Sequence, residues 1–94
     1  MRHYIIVRFK EGVDWRSHVP DISTLFKKAS VIDGVNNISI NTSCSERPNR
    51  HHIMIEMVVT AEGLTNFDNS TIHSEWKEKY GELIKEKTIF DCAT

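Results

Sequence analysis

Apolar positions recur along this chain with two different periods, and the switches between them predict six elements. From Arg2 to Lys10 the residues Tyr4, Ile5, Ile6, Val7 and Phe9 form a β-branched and aromatic run, which reads as a strand. Glu11-Gly12-Val13-Asp14 is a turn, with Asp14 or Ser17 available to cap a helix. Val19, Ile22, Leu25, Phe26 and Ala29 then follow the three-and-four spacing of a one-sided helix. Pro20 suits the first turn of that helix, where a missing N–H costs nothing, and Gly34 suits a left-handed position after its end. Residues Val35–Cys44 alternate, with Ile38, Ile40, Thr42 and Cys44 on one side and Asn37, Ser39, Asn41 and Ser43 on the other. After the polar loop Ser45–Asn49, Arg50–Val59 reads as a third strand, apolar on both faces except at Glu56. Thr60 caps a short helix carrying Leu64 and Phe67, and Ser70 caps a second helical segment with His73, Trp76, Tyr80 and Leu83 on one stripe. Thr88–Cys92 is the last strand.

The order β-α-β-β-α-β is the split-βαβ, ferredoxin-like arrangement of an α+β protein: one four-stranded antiparallel sheet with the helices on one face. A sheet that faces water on its other side alternates cleanly between apolar and polar residues. The first and third strands do not. His3, Ile5, Val7 and Phe9 oppose Tyr4, Ile6 and Arg8, while Met54 and Val58 oppose Ile53, Ile55, Met57 and Val59. The simplest cover for the helix-free face is a second copy of the chain, packed through a self-complementary two-fold interface into a dimeric α/β barrel. The expected partner is therefore the chain itself. Its 94 residues make a single domain, 1–94, with a thin core that a homodimer would thicken.

Charge narrows the function. A formal net charge of −1 gives no general pull toward nucleic acid or acidic membranes. The apolar runs are too short to span a bilayer, and Arg8 interrupts the N-terminal one, which has the wrong form for a secretory signal. A cytoplasmic location is expected. Cys44 and Cys92 stand far apart, form no CxxC motif and fit no zinc spacing, and both read as small strand residues. Neither a glycine-rich phosphate loop nor a Gly-x-Ser-x-Gly elbow is present. An RNA-recognition sheet of this topology would need exposed aromatics and a basic surface.

Several segments resemble the stress-responsive A/B barrel domain family. Arg2-His3-Tyr4-Ile5-Ile6-Val7-Arg8-Phe9-Lys10 is similar to its opening strand, and Asp33-Gly34-Val35 to the turn before its second strand. Glu62-Gly63-Leu64-Thr65-Asn66-Phe67 and the following His73 match its short helix and histidine. Thr88-Ile89-Phe90-Asp91-Cys92 resembles its terminal strand. The family often has His-Pro-x-His at the second helical segment. Here the string is Ser70-Thr71-Ile72-His73, which keeps only the second histidine. The resemblance covers nearly the whole chain and implies the dimeric barrel, together with pockets that in related barrels hold aromatic or polyketide-like compounds.

Three histidines fall near the starts of regular elements: His3, His52 and His73. Imidazole gives and takes protons near neutrality. If the three converge, they form the polar end of an apolar pocket lined by Ile5, Val7, Met54, Phe67 and Trp76. In that arrangement His73 is the general base, abstracting a proton beside a carbonyl, while His3, His52 or Tyr80 holds the oxygen. Each also has a structural reading: His73 as a helix-start residue bonded to backbone, His3 as a strand terminus, His51-His52 as a solvated strand entry, Trp76 as core. No closely spaced ligand pair suggests a metal, and no cofactor is expected. The expected function is binding of a small apolar or aromatic molecule, with cofactor-free proton transfer of cyclase or isomerase type. The alternatives are a non-catalytic dimerisation or stress-associated accessory module, and a cofactor-independent monooxygenase.

Overall fold

The structure, a computed structural model, describes all 94 residues. Its strands are β1 (Arg2–Phe9), β2 (Val35–Thr42), β3 (Ile53–Val59) and β4 (Ile84–Cys92). The helices are α1 (Trp15–Lys27), α2 (Ala61–Asp68) and α3 (Thr71–Tyr80), with single 3-10 turns after α1 and α3. The strands form one antiparallel sheet in the order β2-β3-β1-β4, which is the expected ferredoxin-like α+β topology.

One face of the sheet meets the helices and holds the core. Ile5, Val7 and Phe9 from β1 and Ile53, Ile55, Met57 and Val59 from β3 are buried there against Ile22, Leu25 and Phe26 of α1, Phe67 of α2, and Trp76 and Tyr80 of α3. Phe26 joins the layers, with its ring edge-on to Trp76 at 5.0 Å and tilted against Phe67 at 6.0 Å. The opposite face carries no helix. Tyr4, Ile6, Met54 and Val58 are half-buried on it, and Phe90 is 56% exposed.

Caps and glycines explain the joints. The Thr60 hydroxyl accepts from the Gly63 N–H, and the Ser70 hydroxyl accepts from the His73 N–H, so both predicted caps form. Gly34 has φ +84°, the left-handed conformation expected after α1. Gly34 and Gly63 also let two backbones touch: a Cβ on Gly63 would run into the Gly34 carbonyl oxygen. This close approach seats the start of α2 on the turn that leads into β2.

Several local expectations are corrected. Asp14 stands at the α1 cap position but makes no side-chain cap bond, while Ser17 instead donates to the Asp14 carbonyl. Because α1 begins at Trp15, Pro20 is inside the helix rather than in its first turn. The third strand begins at Ile53, not Arg50, and the last at Ile84, not Thr88. Cys44 lies beyond the end of β2 and is exposed, so only Cys92 is a strand residue. The alternation of β2 is broken by a bulge: Val35 pairs with Val59 and Ile40 with Ile55, a shift of one residue that Asn37 absorbs at φ +50°.

Candidate functional site

His3 shares the core-facing side of β1 with Ile5 and Val7 and is 5% exposed. A polar ring in that position needs a partner. Register supplies it, because β1 and β4 pair with His3 opposite Asp91. The His3 Nδ1 stands 2.6 Å from the Asp91 Oδ1. A carboxylate only accepts, so Nδ1 carries a proton, and in the neutral ring Nε2 keeps its lone pair. Asp91 is a functional candidate that reading single residues missed. The signal was present in the pairing of the first and last strands.

His73 lies in the first turn of α3, half-buried, with its ring 5.2 Å from that of Phe67. Its Nδ1 is 3.1 Å from the Asp68 carbonyl oxygen. That oxygen also only accepts, so His73 presents Nε2 as the free basic nitrogen as well. Chain direction puts the two histidines toward the same half of the sheet. α3 ends at Tyr80, and β4 starts a few residues later at Ile84 beside Phe9, so the first turn of α3 points back toward the β4 residues that pair with His3. No hydrogen bond joins His3 to His73.

The convergence of three histidines is not found. His52 precedes β3 at the other end, where its N–H donates to the Val7 carbonyl. Its Nδ1 accepts from the Phe9 N–H at 3.0 Å, and its ring stacks on Trp15 at 5.0 Å and 12°. Here the neutral ring must carry its proton on Nε2, the reverse of His3 and His73. Burial pushes the His52 pKa below its ordinary value, with the charges of Arg8, His51 and Arg16 adding to the shift.

The expected pocket is also rearranged. Met54 belongs to the helix-free face, where it pairs with Ile6, so it lies across the sheet from Ile5, Val7, Phe67 and Trp76. Those four are buried in contact with the rest of the core, and Phe67 and Trp76 fill the space between helix layer and sheet. Tyr80 shares the stripe of His73 and Trp76 but lies two turns away, about 10 Å along the axis. It packs on Trp76 and stands edge-on to His18. Burial, with Asp21 and Glu75 nearby, raises its pKa. Glu56 takes a long hydrogen bond from the Tyr4 hydroxyl, its cross-strand neighbour. No group of His, Cys, Asp and Glu is arranged to hold a metal ion, and no helix is long and apolar enough to cross a membrane.

No family model matches the sequence, and no curated protein is similar to it. Solved structures do match. A dimeric ferredoxin-like protein of unknown function from Thermobifida fusca superimposes with a TM-score of 0.81 at 13% identity, covering 99% of this chain and 89% of the other. A dabb family protein with a ferredoxin-like fold from Mesorhizobium loti gives 0.74 at 15% identity, covering 99% and 94%. The hydroxynitrile lyase of Passiflora edulis gives 0.74 at 13% identity, covering 95% and 87%. At these identities the likeness is one of fold: this chain has the ferredoxin-like fold of the dabb, or stress-responsive A/B barrel, proteins among its structural neighbours.

Proposed function

We propose that the chain is a single-domain, homodimeric barrel protein that binds a small organic molecule beside His3 and His73, and that proton transfer is the reaction open to it. The observation that carries this reading is the shared state of the two imidazoles. Each has Nδ1 bound to an oxygen acceptor, which leaves Nε2 free to take a proton. The His3–Asp91 pair, with its imidazole buried and its carboxylate partly exposed, has the form of a base oriented by a carboxylate, and Asp91 would stabilise the imidazolium that forms. The hydroxynitrile lyase neighbour adds one concrete reaction to assay. A base takes the hydroxyl proton of a hydroxynitrile, the C–CN bond breaks, and cyanide leaves with a proton as the carbonyl forms. Such chemistry needs no cofactor. A cytoplasmic location belongs to the same reading.

The dimer rests on the helix-free face. Tyr4, Ile6, Met54 and Val58 make an apolar centre that Phe90 extends, and Tyr4 and Phe90 are already paired at 6.2 Å. Neighbours of the same fold from Thermobifida fusca and Bacteroides fragilis are described as dimeric. Sedimentation should give twice the chain mass, and Phe90→Lys should give a folded monomer. A wild-type monomer at micromolar concentration would overturn the interface.

A second reading, the non-catalytic accessory module, is favoured by one observation: Phe67 and Trp76 fill the space a ligand would need. A thermal-shift screen separates the two. Aromatic, β-dicarbonyl and cyanohydrin compounds should raise the melting temperature of wild type and lose that effect in His73→Ala. Equal, flat responses in both proteins would select the accessory module.

A further inference from the structure

We propose that the cleft at the β1–α1 turn, at the opposite end of the sheet from His3, binds a small phosphate monoester. The cleft has a volume of about 430 Å³ and is lined by Arg8, Lys10, Glu11, Trp15, His52 and Lys85, among others. That is the size of a small-metabolite site and larger than a bare ion requires. Three of these lining residues are cationic and one is anionic, on a chain whose net charge is −1. The concentration of positive charge is therefore local.

The three cations are uncommitted. The acid–base contacts of the protein join His3 to Asp91, Arg16 to Glu46, His51 to Glu86 and Lys79 to Glu75, and none uses Arg8, Lys10 or Lys85. Arg8 has Glu86 as its cross-strand partner, yet it makes no ion pair with it. Lys85 reaches the cleft through an irregularity in the sheet. Arg8 pairs with Glu86 and Phe9 with Ile84, so Lys85 is an extra residue bulged out of β4. Bulges commonly re-aim a side chain in this way beside functional sites.

His52 adds a fixed donor. Its Nδ1 is held by the Phe9 N–H, which assigns the neutral ring's proton to Nε2, and no protein acceptor takes that N–H. Stacking on Trp15 fixes the ring plane. Burial lowers the pKa of this ring, and the neighbouring charges of Arg8, His51 and Arg16 add to the shift.

A phosphate monoester carries nearly two negative charges at neutral pH and three acceptor oxygens. That matches the net charge of the lining and its donors: a guanidinium, two ammonium groups and an imidazole N–H. Glu11 suits a hydroxyl on the organic part. The site is independent of the reading given above for His3 and His73, and it stands or falls separately.

The test is titration calorimetry at low salt with glycerol 3-phosphate, with inorganic phosphate and succinate as companions, on wild type, Lys10→Ala/Lys85→Ala and Lys79→Ala. The NMR ring signals of the histidines are followed in parallel. Saturable binding of glycerol 3-phosphate is expected, shifting the His52 signals and leaving those of His3 and His73 in place. The double variant should bind at least about tenfold more weakly, as the loss of one charge-assisted hydrogen bond implies, with an unchanged melting temperature. Lys79→Ala, a cation outside the cleft, should bind as wild type does. Absence of saturable binding in the millimolar range, or equal affinity in the double variant, would overturn the site. Succinate binding as tightly as the monoester would overturn the phosphate assignment.

Discussion

The two ends of the sheet use imidazole in opposite ways. At the end where β1 begins, His3 donates Nδ1–H to Asp91 and keeps Nε2 basic, and His73 in the first turn of α3 does the same with the Asp68 carbonyl. At the end where β1 stops, His52 accepts a backbone N–H at Nδ1, carries its proton on Nε2 and stacks on Trp15 among cationic neighbours. One end can take a proton, and the other can donate a hydrogen bond to an anion. The difference comes from what each ring touches: a carboxylate or carbonyl on one side, a free strand-end N–H on the other. Histidine count alone carries none of this, because the second ring nitrogen's partner decides the tautomer.

The largest expected effect comes from removing what separates the two ends. Trp76 is 2% exposed and stands edge-on to Phe26 in the middle of the helix layer. Trp76→Ala should cost about 3–5 kcal/mol in urea unfolding, through lost transfer energy and the cavity left behind. Indole, sized for that cavity, should restore part of the melting temperature. A loss under about 1 kcal/mol would mean the layer collapses around the gap.

Gly63→Ala should disturb only one end. Its new Cβ would press on the Gly34 carbonyl, which is backbone and cannot swing aside. A cost of about 1–3 kcal/mol is expected, the usual range for overpacking. Because α2 carries Phe67, against which His73 rests, the ring signals of His73 should shift while those of His52 stay. Equal shifts at both histidines would show that the ends are mechanically coupled.

Asp91→Asn acts on a single bond. The Asp91 side chain is 42% exposed, so the pair with His3 is half screened, and the expected loss is about 1 kcal/mol, below the roughly 1.5–3 kcal/mol usual for a hydrogen bond to a charged group. The sharper readout is the tautomer. The substituted amide can offer its carbonyl and keep Nδ1–H on His3, or offer its NH₂ and reverse the ring. Nitrogen chemical shifts of His3 separate the two, and retention of Nδ1–H is expected because a carbonyl can still occupy the Oδ1 position.

Much of this was legible in the chain. The faces of β1 follow from strict alternation, so Ile5, Val7 and His3 were assigned to the helix side correctly. The topology and both serine and threonine caps were also legible, since each rests on a local signal. The face of β3 was misread. It is apolar on both sides except at Glu56, which shares a face with Met54 and Val58 and marks that face as the outward one, yet Met54 was assigned to the helix side. Pairing with β1, Ile5 opposite Ile55 and Ile6 opposite Met54, fixes the assignment. The bulges at Asn37 and Lys85 leave no mark in hydropathy. His52 was expected with His3 because both stand near strand starts. In an antiparallel pair, however, two strand starts lie at opposite ends of the sheet, and that rule alone separates them.

The smallest effect is a pH dependence confined to the His52 end. The His52 pKa lies below its ordinary value of 6.5 in the folded chain. Between the folded and unfolded values the unfolded state binds more protons, so stability rises with pH there. The contribution is fully present above about 6.5 and is lost as pH falls through the lowered folded value. His52→Gln keeps an acceptor for the Phe9 N–H but cannot take up a proton. Urea midpoints from pH 7.5 down to 5 should therefore fall less steeply in the variant than in wild type. Parallel curves would assign the acid sensitivity to other groups and remove the electrostatic half of the contrast between the ends. In the presence of glycerol 3-phosphate the wild-type slope should flatten, because an anion in the cleft offsets the charges of Arg8 and Arg16 that oppose protonation of the ring.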